Sequence, residues 1–163
     1  MKANNTEGVR KLKEMAESVR VCMLCSRHRD HLDSKPMSTI GVDEDGTIWF
    51  FTEEFTEKVE QVEKDPQVCL AYADPSKSSY LSVTGTAALV HDREKMKELW
   101  NPVLKAWFPQ GLETQGIALL RVTPSHAEFW DSSSARMVTL LGMVKAVVSG
   151  ERADPGEHGK ITL

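Results

Sequence analysis

The sequence predicts a mainly β fold with helices, of the α+β class: about six antiparallel strands closing into a barrel, with helices around its rim. Three observations predict it. Strand-like stretches recur along the chain and are separated by short turns. The longest, "SSYLSVTGTAALV", alternates throughout and carries Gly85 at its centre, the residue a bulge or barrel corner calls for. The helical periodicities are short and fall between strands, as in a barrel with peripheral helices. A length of 163 residues, 40% hydrophobic and 27% charged, suits one globular domain.

In chain order, Leu12, Met15 and Val19 recur at helical spacing and predict an N-terminal amphipathic helix. "VRVCMLCS" reads as a buried strand. Cys22 and Cys25 stand three apart on it and so point to opposite faces, which disfavours a metal or redox pair. "KPMSTIGV" is the next strand, and Pro36 restricts it to an edge or a strand start. "DEDG" then makes a tight turn into "TIWFFT", a hairpin. Phe55, Val59 and Val62 mark a short helix that stops before Pro66, and "QVCLAYAD" follows as a strand. In the long strand, Leu81, Val83, Ala87 and Leu89 face one way and Tyr80, Ser82, Thr84 and Thr86 the other.

Met96, Leu99, Trp100, Val103 and Leu104 follow helical spacing, with Asp92 as N-cap. Asn101-Pro102 acts as a second cap and first helical position, and Pro109 and Gly111 end that second helix. "IALLRVTPSHAEFW" is the last long strand, interrupted at Pro124. "SARMVTLLGMVKAVVSG" predicts a final helix, lined by Met137, Leu140, Leu141, Val144 and Val148. Residues 1–149 are therefore expected to form the domain and 150–163 a tail, poorly ordered until its last residues.

A net charge of -4 gives no electrostatic reason to expect a nucleic-acid surface. No apolar run reaches the length of a membrane span, and the first twenty residues lack the apolar core of a secretory signal. An odd cysteine count, Cys22, Cys25 and Cys69, argues for reduced thiols in a cytoplasm. The chain has no Gly-rich phosphate loop, no G-x-S-x-G and no histidine pair at zinc spacing on a helix. "HRDH" sets His28 and His31 in a turn; a metal there needs further ligands that the sequence does not locate, so a solvated loop and no metal are expected.

"FFTEEFTEKVE" runs from a strand end into a helix start, where free N–H groups favour an anion. Thr52 and Thr56 add hydroxyls, and Lys58 falls in the first turn, where a positive charge opposes the helix dipole unless an anion is bound. A solvated Lys58, offset by Glu53, Glu54 and Glu57, is the competing reading. Trp100 is expected in the core. Trp107 and Phe108 sit at a fraying helix end before Pro109, where they project and can cover a planar ligand or another subunit. Trp130 ends a strand beside the polar "DSSS", which suits either a pocket rim or the core.

The stretch from "DSKPMSTIGV" to "VTGTAALV", followed by "ELWNPVLKAWFP", "IALLRVTP" and "AEFWDS", resembles the pyridoxamine 5'-phosphate oxidase-like split barrels, within them the general stress protein branch. The likeness spans roughly Val19 to Val148. It implies a split barrel, and a homodimer with a flavin, usually FMN with FAD also possible, in each of two clefts at the subunit interface. By that resemblance Lys35 stands where Arg is more usual, a change that loses bidentate hydrogen bonding. Pro36, Met37 and Ser38 would run along the flavin ring edge. Phe51 and Thr52 match the aromatic-Thr pair, Lys58 the phosphate-binding Lys, and Tyr80 and Trp130 positions that reach across from the partner subunit. Trp107 and Phe108 would shelter the cleft. True pyridoxamine phosphate oxidases carry Arg-x-His-x-Arg after the "FW" strand; here Arg136 follows with no His, so oxidation of vitamin B6 is not expected. The resemblance implies a flavin-dependent oxidoreductase of unknown substrate, or alternatively a non-catalytic stress protein that sequesters flavin.

Overall fold

A computed structural model of the chain describes residues 3–131 and 157–162; the helix expected over 134–150 lies outside them. The described elements are α1 (Ala3–Val19), β1 (Val21–His28), β2 (His31–Ser38), β3 (Gly41–Val42), β4 (Ile48–Glu53), α2 (Glu57–Lys64), β5 (Gln67–Asp74), β6 (Ser79–Val90), α3 (Arg93–Leu99), β7 (Ile117–Asp131) and β8 (Glu157–Thr162). The strands form one sheet in the order β2-β1-β5-β6-β7-β4-β3, with β8 added on β7, and every pairing is antiparallel. The end of the expected tail is thus a strand of the sheet, opposite His126–Asp131.

The sheet does not close, contrary to the closed barrel that strand count alone suggests. Its edges, β2 and β3, are consecutive in the chain yet unpaired with each other. The residues between them show why. Thr39 donates its N–H to the Arg20 carbonyl at 2.8 Å, on the β1 side, while Ile40 donates to the Trp49 carbonyl at 2.9 Å, on the β4 side. Hydrogen bonds of adjacent residues diverge to two sides, and the barrel splits there. Pro36 sits on edge strand β2, where its missing N–H costs no interior ladder bond.

Strand β4 is buried from Ile48 to Thr52, because each of its faces carries a core. Ile48 and Phe50 join the barrel interior with Leu24, Leu70, Tyr72, Leu120 and Val122, sealed by Leu12, Met15 and Ala16 of α1. Trp49 and Phe51 face the other way into a second core with Met96, Leu104, Phe108 and Leu119. The segment after α3 shapes that second core. Asp92 caps α3 through Glu94 and Lys95, and Asn101 caps a 3-10 turn, Pro102–Ala106, by accepting from the Val103 N–H at 3.1 Å. The second helix is 3-10 rather than α: between Pro102 and Pro109 there is little room for i to i−4 bonds. Phe55, expected on α2, lies before its Thr56 cap and is exposed.

Gly85 meets its expected role. The β6–β7 register shifts between Thr84 and Gly85, so Ser125 is the extra residue and Gly85 lies opposite Pro124. An added Cβ at Gly85 would stand 2.3 Å from the Thr123 carbonyl oxygen, a backbone atom. Gly85→Ala is therefore expected to lower stability by about 1–3 kcal/mol; urea unfolding checks this, and an unchanged midpoint would show the bulge to be pliable.

Cys22 lies inside, as the strand alternation requires, and Cys25 on the opposite, outer face. Burial pushes the Cys22 thiol up from 9.0 to about 12 and raises the neighbouring Tyr72 phenol as well. Raised folded-state values give stability that is whole below the unfolded value and lost as pH climbs toward the folded one. Stability should thus fall between pH 9 and about 12, and Cys22→Ala should flatten that slope in urea midpoints measured across the range. Equal slopes in the two proteins would refute the assignment.

Candidate functional site

Strand β2 alternates, so Asp33, Lys35 and Met37 share its inner face, while Ser34 and Pro36 face out. Helix α2 begins beside that inner face. Thr56 caps it by accepting from the Val59 N–H at 3.4 Å, so its hydroxyl serves the helix rather than a ligand. Lys58 then extends to Met37, placing its Nζ 2.8 Å from the thioether sulfur. Among the described residues no carboxylate pairs with Lys58. Burial, and next the nearby positive charge of Lys35, hold its pKa below 10.5. A half-buried ammonium whose described partner is a thioether is a poorly satisfied cation. Lys35 is itself paired at 3.3 Å, to the exposed Glu57 in the same first turn of α2.

Farther along β2, Ser38 borders an open groove of about 390 Å³ lined by Arg20, Val21, Ile40, Leu104 and Trp107. Ser38 is three residues from Lys35, about 10 Å along the strand, so groove and lysine pair share one edge. Trp107 is 65% exposed over the groove, as its place at a fraying helix end predicts. Phe108 does the opposite of projecting. It is buried and tilts against Phe51, with ring centroids 6.1 Å apart, while Trp100 meets Phe51 edge-on at 5.6 Å. Phe51 is thus the hub of the second core, and Thr52 is buried beside it with its hydroxyl toward the Glu53 carbonyl at 3.5 Å. A larger cavity, about 530 Å³ between α1 and the turn after β5, is polar, with Lys77 paired to Asp74 and Asp131 to Lys11 on its wall.

Tyr80 and Trp130 are direct cross-strand partners on the outer face, Tyr80 40% exposed. Tyr80 lies three strands from β2 in the sheet order, about 14 Å by strand spacing. One chain therefore does not bring them to Lys35 and Lys58. Trp130 is also covered within its own chain: His158 of β8 stacks on it at 5.1 Å and 13°, steadied by Glu128 at 2.7 Å. The sequence reading missed His158, because the tail gave no strand periodicity to place it. It also missed Glu57 as the partner of Lys35 and Gln61 as a buried polar hub of α2. Extending the alternation of β2 back to Asp33 was the signal available for that corner.

The family model for pyridoxamine 5'-phosphate oxidase-like proteins matches residues 7–154. The chain belongs to this family. Its fold is close to that of a protein assigned as general stress protein 26 from Jannaschia sp. CCS1, at 28% identity and TM-score 0.78 over 96% of this chain and 99% of that one. It is also similar to a general stress FMN/FAD-binding protein from Xanthomonas citri, at 25% identity and TM-score 0.68 over 84% of this chain and 94% of that one. The Bli-3 protein of Neurospora crassa is 25% identical over 114 residues, 65% of this chain and 54% of Bli-3, so the match spans about half of that relative's length. The open sheet is the split barrel of the family, and the general stress protein branch is the part of it that these neighbours represent. Arg136, on which the comparison with true pyridoxamine phosphate oxidases turns, lies outside the described residues.

Proposed function

We propose that the chain binds FMN along β2, as one half of a homodimer, and acts as a flavin-dependent oxidoreductase; FAD would use the same phosphate grip. The observation that carries this is Lys58: a half-buried ammonium at a helix start, beside Lys35 and with no described carboxylate. Partial burial and the charge of Lys35 hold its pKa down, and a phosphate bound there would offset both. Lys58, Lys35 and the first N–H groups of α2 would hold the phosphate. The exposed edge of β2 from Pro36 to Ser38 would meet the polar rim of the ring, and Trp107 would cover its apolar face. Bound FMN would supply the redox chemistry, leaving the protein to bind, orient and exclude water.

The dimer is supported by the outer sheet face. Val21 and Met23 of β1 are 53% and 40% exposed there, in rows with Ala71, Ala73 and Tyr80 that carry no charge. A second copy covering that face would bring Tyr80 and Trp130 toward its partner's groove. Three unpaired thiols support a reducing, cytoplasmic compartment; among the described residues no helix is long and apolar enough to cross a membrane.

Activity is tested by mixing the FMN-loaded protein with NADH or NADPH and following flavin absorbance under air. Repeated turnover is expected. Tight FMN binding without turnover would leave the sequestering role instead. Trp107→Ala should weaken FMN binding in a fluorescence titration while the unfolding midpoint of the unliganded chain stays put; full affinity in that variant would remove Trp107 from the site.

A further inference from the structure

The geometry points to a divalent transition-metal site, of the Zn²⁺ type, at the β1–β2 hairpin, built from His28, His31 and Asp33. The hairpin itself assembles it. His28 and His31 close the ladder as a cross-strand pair around the two-residue turn Arg29–Asp30, and Arg29 takes a left-handed φ of 55° to make the turn. Cross-strand partners share a face, and Asp33, two residues beyond His31, shares it too. One ligand atom from each of the three lies within 4.8 Å of the others. The two imidazole rings stand 5.2 Å apart, on either side of the Asp33 carboxylate. Asp33 Oδ2 is 3.2 Å from His28 Nδ1, and Asp33 Oδ1 is 3.4 Å from His31 Nε2.

The surroundings are those of a metal centre. His31 Nδ1 lies 3.2 Å from the Asp30 carboxylate; with the proton on that nitrogen, Nε2 is free to ligate a metal beside Asp33 Oδ1. Behind Asp33, Ser26 donates to Gln61 Oε1 at 2.8 Å, which fixes the amide so that its NH₂ faces Asp33 Oδ2 at 2.8 Å and His28 Nδ1 at 3.0 Å. Glu57 Oε1 reaches His28 Nδ1 at 3.5 Å and offers a fourth ligand. The ligand atoms of His28, His31 and Asp33 therefore converge on one point, where a bound cation would replace the contacts His28 Nδ1 makes to Gln61 and Asp33. Two nitrogens and one or two oxygens suit Zn²⁺ or Co²⁺ rather than Mg²⁺ or Ca²⁺. The corner is also open: His31 is 56% exposed, which gives an ion a path in. The sequence alone could not find the remaining ligands; the fold supplies them as Asp33 and Glu57.

This site does not depend on the flavin reading, although Glu57 connects the two, since its other oxygen holds Lys35 at 3.3 Å. The test titrates the full, chelator-treated chain with Zn²⁺ against a chromophoric indicator, and with Co²⁺ for its visible spectrum. One ion per chain is expected. His31→Ala and Asp33→Asn should each weaken binding by more than about tenfold, and Asp30→Ala by about tenfold because the His31 ring loses the carboxylate that orients it. His91→Ala, an exposed histidine paired with Glu54 elsewhere, serves as the control and should change nothing. His31 and Asp30 are exposed, so these variants keep the fold, as circular dichroism would verify. No saturable binding by the unaltered chain, or equal affinity in His31→Ala and Asp33→Asn, would overturn the assignment.

Discussion

Phe51→Ala is expected to destabilise the chain by about 3–5 kcal/mol. Phe51 is 7% exposed and fills the space between β4 and the 3-10 segment, where Trp100 and Phe108 both lean on its ring. Removing it opens a cavity that cannot collapse easily, because Pro102 and Pro109 fix the backbone that carries those rings. The adjacent Trp107, 65% exposed, gives the contrast: its truncation should move stability by less than about 0.5 kcal/mol. Urea unfolding of the two variants separates a packing role from a ligand-facing one. Comparable losses in both would show that the second core has been misread.

Lys58→Met is expected to weaken FMN binding by about 1–3 kcal/mol, on the order of ten- to a hundredfold, while leaving the unliganded chain at least as stable. The first half follows from losing a charged hydrogen-bond donor to the phosphate. The second follows from desolvation, which here disfavours the ammonium that methionine removes. The pH sign is fixed as well. A phosphate needs Lys58 protonated, and the unliganded chain holds its pKa below 10.5, so affinity should fall as pH rises through that lowered value. The methionine variant should lose that step. An FMN affinity equal to the parent's at neutral pH would return Lys58 to the role of a helix-surface charge.

Local rules reached far along this chain. Proline's missing donor put Pro36 on an edge, glycine's missing Cβ put Gly85 at a bulge, and strand alternation sent Cys22 inward and Cys25 outward. Capping chemistry located Asp92 and Asn101, whereas Thr56, expected to serve an anion, caps α2 instead. What local rules did not reach was set by distant pairing. Phe108 turns inward because Phe51, far off in sequence, needs a neighbour on the outer side of β4. The barrel stays open because Thr39 and Ile40 bond to opposite sides. Trp130 is stacked by His158 because the last residues return as a strand, which their mixed polarity does not announce. The same holds at the hairpin, where Gln61 reaches Asp33 only once α2 has docked. Within the candidate site, the first-turn place of Lys58 and the exposure of Trp107 were legible in the residues and Lys35 only through the resemblance, whereas Tyr80 and Trp130 stand on a face that a single chain keeps away from them.

The most direct test is native mass spectrometry of the purified protein with added FMN. A species of two chains carrying two FMN is expected, reduced to flavin-poor dimers by Lys58→Met. A lone chain without flavin, or a dimer that takes up no FMN at any ratio, would contradict it.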